Sequence, residues 1–369
     1  MLLVNFLGNW NGCPSLWRHH HDHCSYADTI MPQFLFAVGF ALRLTLRRGD
    51  STTSPWKRVA RRALALALIS VVVYSPGVAA ADWAGWSEKG FAVLLRPLKR
   101  EWFQTLMHIA VTSVWIVPVV RASLRTRALF AAASGLAHVV LSYWFNFAWV
   151  NSEPWGIDGG PLGFLTWTIP AIVGTVACDG VTGPDSPKVG RLSCLAVALM
   201  VAGWGFSCGT RLYDVPAEQR GANAQEKFAS SPVWPDWNQA KGRAVTTLLA
   251  EPPFVRPPPA SERQWNYWMM SQRAGTLSYL TFSGGFSLLL FIGFWWCCDH
   301  WGWRFGLFQT MGTNALAAYV IHGLVDSAIS PFVPPDAPVW YVTAAFACYF
   351  ALTWGAVKGL ERQRVFLRV

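Results

Sequence analysis

Nine separate runs of about twenty apolar residues constrain this chain more than any other feature, because that is the helix length that crosses a hydrocarbon core about 30 Å thick. They are Thr29 to Leu46, Ala60 to Ala80, Phe103 to Val120, Arg127 to Val150, Gly163 to Asp179, Gly190 to Cys208, Thr276 to Cys298, Leu307 to Val325 and Pro338 to Val357. Backbone N–H and C=O groups must be satisfied inside such a segment, so the runs are expected to be helices and the fold class all-α: a polytopic membrane helical bundle of about nine complete transmembrane helices. Met1 to Gly8 is too short to span and reads as the second half of a further, truncated helix. It has no basic n-region and is not taken as a cleavable signal peptide. The natural polypeptide is expected to start upstream, with roughly 10 to 25 further residues completing that helix.

Composition agrees: 53% of the 369 residues are hydrophobic and 14% are charged, against roughly 25% charge in ordinary soluble domains. The 22 Trp suit the membrane interface, where an indole has one edge in hydrocarbon and its N–H among headgroups. A formal charge of +10 makes no basic stripe, so no nucleic-acid partner is expected and membrane lipids are. Arg47, Arg48, Lys57, Arg58, Arg61 and Arg62 crowd one short link, which places that side in the cytoplasm. The same assignment puts Arg121, Arg125, Arg127, Lys188, Arg191, Arg304 and the basic C-terminal tail inside, and the protein in the cell (inner) membrane. Lys89, Arg96, Lys99 and Arg100 are the exceptions, on a short amphipathic stretch outside. The whole of 1–369 reads as a single membrane domain, with 210–275 a Pro- and Trp-rich extracytoplasmic loop forming an irregular cap.

Polar side chains at membrane depth are costly, which makes each a candidate for function. The richest group is Asn5, then the tract Arg18, His19, His20, His21, Asp22, His23, then Asp28. His19 and His23 have an i, i+4 spacing that can clamp zinc on a helix, with Asp22 as a further ligand. No Cys or Glu completes the set at a familiar distance, so no metal is assigned. The eight cysteines show no CxxC spacing, and Cys13 with Cys24 forms a disulfide only if their loop faces an oxidising compartment. In GTNALAAYVIH, Asn314 and His322 are eight residues apart. On one helix that is about 12 Å along the axis and roughly the same side, a polar track for a group crossing the membrane. The plain alternative is hydrogen bonding between helices, which serves equally for His108 with Gln104 and for His138 with Asn146.

The order and spacing of several motifs resemble the heparan-α-glucosaminide N-acetyltransferase family, including its bacterial members of unassigned substrate. The stretch VNFLGNWNGCPSLWRHHHDHCSYADTIMPQFLFAVGFALRL is similar to that family's first two helices and connecting loop: an Asn (Asn5), a loop His (His19 or His20), an Ala-Asp pair (Ala27, Asp28), then Pro32, Phe34, Phe36 and Gly39. FQTLMHIAVT, with Ser278, Tyr279 and Thr281 of GTLSYLTF and Gly312, Asn314, Tyr319 and His322, extends the likeness over nearly the whole chain. The usual N-terminal segment with its Asp and Arg-Gly is absent from the sequence. The outer loop differs from the animal enzymes, so heparan itself is not taken as the substrate.

The resemblance implies an acetyl-CoA-dependent acyltransferase that moves an acetyl group from the cytosol to an amino sugar or glycan acceptor on the far side of the membrane. It implies His20 as the catalytic residue, with His19 the other register and Asn5 beside it. The chemistry fits: neutral imidazole takes the proton an amine loses on attacking a thioester, or accepts the acetyl group itself, and the Asn amide donates to the oxyanion. Asp28, His108, Asn314 and His322 would line the acyl or substrate path. CoA phosphates would be held by Arg47, Arg48, Arg58, Arg61 and Arg62, for which a topological or anionic-lipid role is the alternative. Acetyl-CoA is expected as co-substrate with no tightly bound cofactor, and a homodimer is an assembly the sequence allows. A transporter or flippase for a glycan or lipid-linked intermediate is the alternative function, and two broken helices in an inverted repeat would favour it.

Overall fold

The computed structural model describes residues 1–47, 54–74, 82–183, 187–216 and 227–367, and in them the protein is built of helices and irregular segments with no extended strand. In chain order the helices are α1 (Leu2–Leu7), α2 (Ile30–Arg47), α3 (Pro55–Val73), α4 (Trp83–Lys89), α5 (Thr105–Val120), α6 (Leu124–Leu141), α7 (Phe147–Val150), α8 (Phe164–Thr182), α9 (Val189–Ser207), α10 (Leu277–Trp295), α11 (Gly306–Thr313), α12 (Ala315–Ile329) and α13 (Val339–Arg362). Local chemistry sets several starts. Pro55 opens α3, where a missing N–H costs nothing, and the Ser123 hydroxyl caps α6 by accepting from Thr126 N at 3.2 Å.

Among the described residues seven helical segments are long and apolar enough to cross a membrane: Ala27–Arg47, Leu124–Val150, Gly160–Thr182, Val189–Tyr213, Leu277–His300, Ala315–Phe332 and Val339–Arg362. Trp83–Glu101 and Thr105–Val120 make an eighth if they are one span, bent by 81°. α3 has 19 residues but opens on Lys57, Arg58, Arg61 and Arg62, and the end of the expected run at Ala80 lies outside the described residues. The expected helix Leu307 to Val325 is not continuous. Asn314 leaves helical geometry at φ −127° and ψ 49°, dividing α11 from α12, so Asn314 and His322 do not share one helix.

The chain forms two compact units: Met1–His19, Ser25–Ala27 and Gly293–Val369 in one, His20–Cys24 and Asp28–Ile292 in the other. In the larger unit α8 is the central helix, with 78% of its spanning window buried, and α2 crosses it at backbone distance. A Cβ on Gly39 would stand 1.8 Å from Ala171 O, and one on Gly174 2.0 Å from Phe36 O. Bilayer helices gain little from hydrophobic burial against each other, so close approach through small residues is how they gain contact. Gly203 meets Phe282 across α9 and α10 in the same way. The cap between α9 and α10 is turns and short 3-10 segments, tied by isolated bridges pairing Asp214 with Arg263 and Phe228 with Trp265. In the smaller unit α12 and α13 pack together, and Phe6 of α1 stacks on Tyr349 at 4.8 Å.

Candidate functional site

The His tract is held in an ordered loop. In the larger unit the Asp22 carboxylate lies 2.7 Å from His23 Nδ1, and the His20 and His23 rings stack with centroids 4.2 Å apart. His19 is exposed, His20 and Asp22 are half-buried, and His23 is buried. Burial pushes the Asp22 carboxyl up, but the bond and charge of His23 outweigh it and hold Asp22 below the usual carboxylate range. The backbone around these side chains is tied at both ends: His20 N donates to Asp28 Oδ2 at 3.4 Å, and Phe254 N of the cap donates to Cys24 O at 3.0 Å. Asp28 is buried, and its carbonyl accepts the Tyr279 hydroxyl at 2.5 Å. Cys24 is buried in the same loop.

The loop opens on a cleft whose lining includes Asp22, His23, Ser207, Thr210, Glu251 and Arg263. Arg263 is fully buried in the cap wall behind it. Its Nε donates to Asp214 at 2.6 Å, and its terminal nitrogens meet Glu251 at 2.5 and 3.2 Å. A buried guanidinium needs such pairing, because it cannot shed its charge. Burial raises the Glu251 carboxyl, and the Arg263 bonds outweigh that and hold it below 4.5.

Other expected site residues are spread through the fold. His108 is buried between the Phe103 and Trp167 rings, and neither ring nitrogen has a hydrogen-bond partner. His138 is also buried, and its Nδ1 meets the Tyr267 hydroxyl of the cap at 2.8 Å, so it pins the cap to α6. In the smaller unit Asn5 Nδ2 lies 3.2 Å from His322 Nε2. Asn314, at the break, donates to Val365 O and accepts from Leu367 N, both at 3.0 Å, and so holds the tail.

At the other end of α2 is a group that sequence reasoning passed over. Arg43 Nε donates to Asp179 Oδ1 at 2.8 Å, Arg47 Nη1 reaches the same oxygen at 3.1 Å, and Arg127 Nη2 bonds Asp179 Oδ2. Arg127 also donates to Thr175 Oγ1 at 2.7 Å, and Arg43 to Val120 O at 2.6 Å. Among the described residues three guanidiniums share this one carboxylate, an excess of positive charge suited to an anion. The signal was available: Arg43 and Asp179 are charges inside or ending apolar runs. Of the arginines expected to hold CoA, Arg47 belongs to this group, Arg58, Arg61 and Arg62 lie on the first turns of α3, and Arg48 lies outside the described residues. Compared with known proteins, the chain matches no protein-family model and no curated protein.

Proposed function

We propose that the protein is a transmembrane acyltransferase that moves an acetyl group from cytosolic acetyl-CoA to an amine of an amino sugar or glycan on the extracytoplasmic side. The observation that carries this reading is the placement of two different chemistries at the two ends of one helix. α2 has 18 residues and is about 27 Å long. Before its first turn stand His20, Asp22, His23 and Asp28, and on its last turns stand Arg43 and Arg47, joined there by Arg127. The basic end suits the phosphates of CoA. At the other end an imidazole takes the proton of the attacking amine. The C–N bond forms, the thioester C–S bond breaks, and the CoA sulfur leaves as a thiolate that is then protonated. His20 is the first choice for that base, through the resemblance, with His19 second.

The test is transfer from labelled acetyl-CoA by purified protein. His20→Ala is expected to lower the rate by about 10²–10⁴-fold, the usual worth of a general base, with membrane insertion intact, and His19→Ala to do less. Full activity of the His19/His20 double alanine variant would sink the assignment. A second reading, transport of a glycan or lipid-linked intermediate, is favoured by the two interrupted helical segments, one bent before Thr105 and one broken at Asn314. Uptake or flipping in proteoliposomes without any acetyl transfer would decide for it.

A further inference from the structure

His20, Asp22 and His23 each offer one ligand atom, and these three atoms lie within 4.8 Å of one another; among the described residues they are the one such group of three. Around a tetrahedral zinc ion, with bonds of about 2.0–2.2 Å, neighbouring ligand atoms stand roughly 3.3–3.5 Å apart. Zinc binding at this set requires the half-buried His20 and Asp22 side chains to change rotamer toward that spacing. The backbone itself is fixed on both sides, at His20 by Asp28 and at Cys24 by Phe254. The i, i+2, i+3 spacing on a non-helical turn replaces the i, i+4 helical clamp that His19 and His23 suggest in the sequence, and it leaves His19 outside the set.

We propose that His20, Asp22 and His23 bind one zinc ion, with the fourth coordination position open to the cleft lined by Ser207, Thr210 and Glu251. Two imidazoles and one carboxylate form the donor set of a borderline metal. Calcium and magnesium take oxygen cages, and copper(I) prefers sulfur, whereas the nearest thiol, Cys24, is directed at Ser283, with Sγ and Oγ 4.0 Å apart. Three protein ligands with one open position is the pattern of zinc sites that act on a bound water or substrate; closed structural sites use four. Zinc binding goes beyond the acyl-transfer reading and does not depend on it, since an ion is held whether or not an acetyl group moves. With zinc bound, His20 would be a ligand and not the free base of the acyl-transfer reading, and the ion would supply the acidity of a bound water in its place.

The full chain, purified in detergent without a histidine tag and stripped with chelator, is titrated with Zn²⁺ and its metal counted by mass spectrometry. Substitution with Co²⁺ supplies a visible d–d spectrum. The expected result is about one equivalent per chain with a tetrahedral cobalt spectrum. His20→Ala, Asp22→Asn and His23→Ala should each weaken binding at least about tenfold, while His19→Ala and His21→Ala leave it unchanged. If the buried His23 variant fails to fold, His20→Ala and Asp22→Asn carry the test. Less than about a tenth of an equivalent at micromolar Zn²⁺ overturns the proposal. So does equal weakening by His19→Ala and His21→Ala, which would mark the tract as an opportunistic chelator with no defined site. The metal count reads binding alone, so an inactive protein that holds zinc removes only the transferase reading.

Discussion

Asn314 shows how one side chain can serve a different purpose from the one its neighbours suggest. Its amide donates to Val365 O and accepts from Leu367 N, using both halves of the group on one partner segment. Asn314→Ala removes both bonds to the tail, at a cost of about 0.5–1.5 kcal/mol for each, since Val365 and Leu367 are exposed and water can replace the lost partner. The expected outcome is a lower melting temperature in detergent and faster proteolytic cleavage near Val365, with Asn314→Asp intermediate because it keeps only the acceptor. At this scale the sequence was legible where a polar atom interrupts an apolar run: His108, His138 and His322 are buried, whereas Asn5 is exposed and still meets His322. The partners were not legible. That His322 faces Asn5, 317 residues away, or that His138 faces Tyr267, depends on packing that no local pattern encodes. The same rule of costly buried charge would have found Arg43, inside its apolar run, and Arg127 and Asp179, at the ends of theirs.

At the scale of elements, the cap depends on charge where the helices depend on close packing. Arg263, Asp214 and Glu251 join three stretches of an otherwise irregular segment, with Arg211 and Arg243 at 3.3 to 3.6 Å from the same carboxylates. Glu251 titrates below its ordinary 4.5 in the folded protein. A carboxyl depressed in this way adds stability that is present above the unfolded value and lost as the pH falls through the folded one. Melting temperature in detergent is therefore expected to hold from neutral pH to about 5 and then fall. Glu251→Gln should lower it at pH 7 and flatten the acid limb, whereas a variant that melts as the parent does at both ends would assign the cluster no role. Helix existence was legible from run length and apolar content, but the starts were set too late, at Ala60 and Arg127, where Pro55 and the Ser123 cap open the helices. The break between α11 and α12 was not, because Gly312 and Thr313 sit in an apolar run, and what ends the helix is the tail bonded to Asn314. The 81° bend before Thr105 was hidden for a similar reason, since its basic flank reads as a surface stretch.

For the whole molecule, the orientation expected from the basic residues can be tested directly. On a cysteine-free background, a maleimide that cannot cross the membrane is expected to reach Leu16→Cys and Lys241→Cys from outside, and Arg125→Cys and Gln363→Cys only after the cells are opened. All four positions are exposed. Labelling of Arg125→Cys in intact cells would invert the orientation and move the Arg43–Asp179 group away from cytosolic CoA. An all-helical chain with several helices long and apolar enough to cross a membrane was legible from the sequence as a whole; its division into two compact units was not, because the stretch from Met1 to Asp28 alternates between them. The bonds at Asn314 also bear on the order of manufacture. Their partners leave the ribosome 51 and 53 residues later, so α12 is made with its leading carboxamide uncommitted. A nascent chain arrested in that interval exposes an unsatisfied polar group beside a helix break.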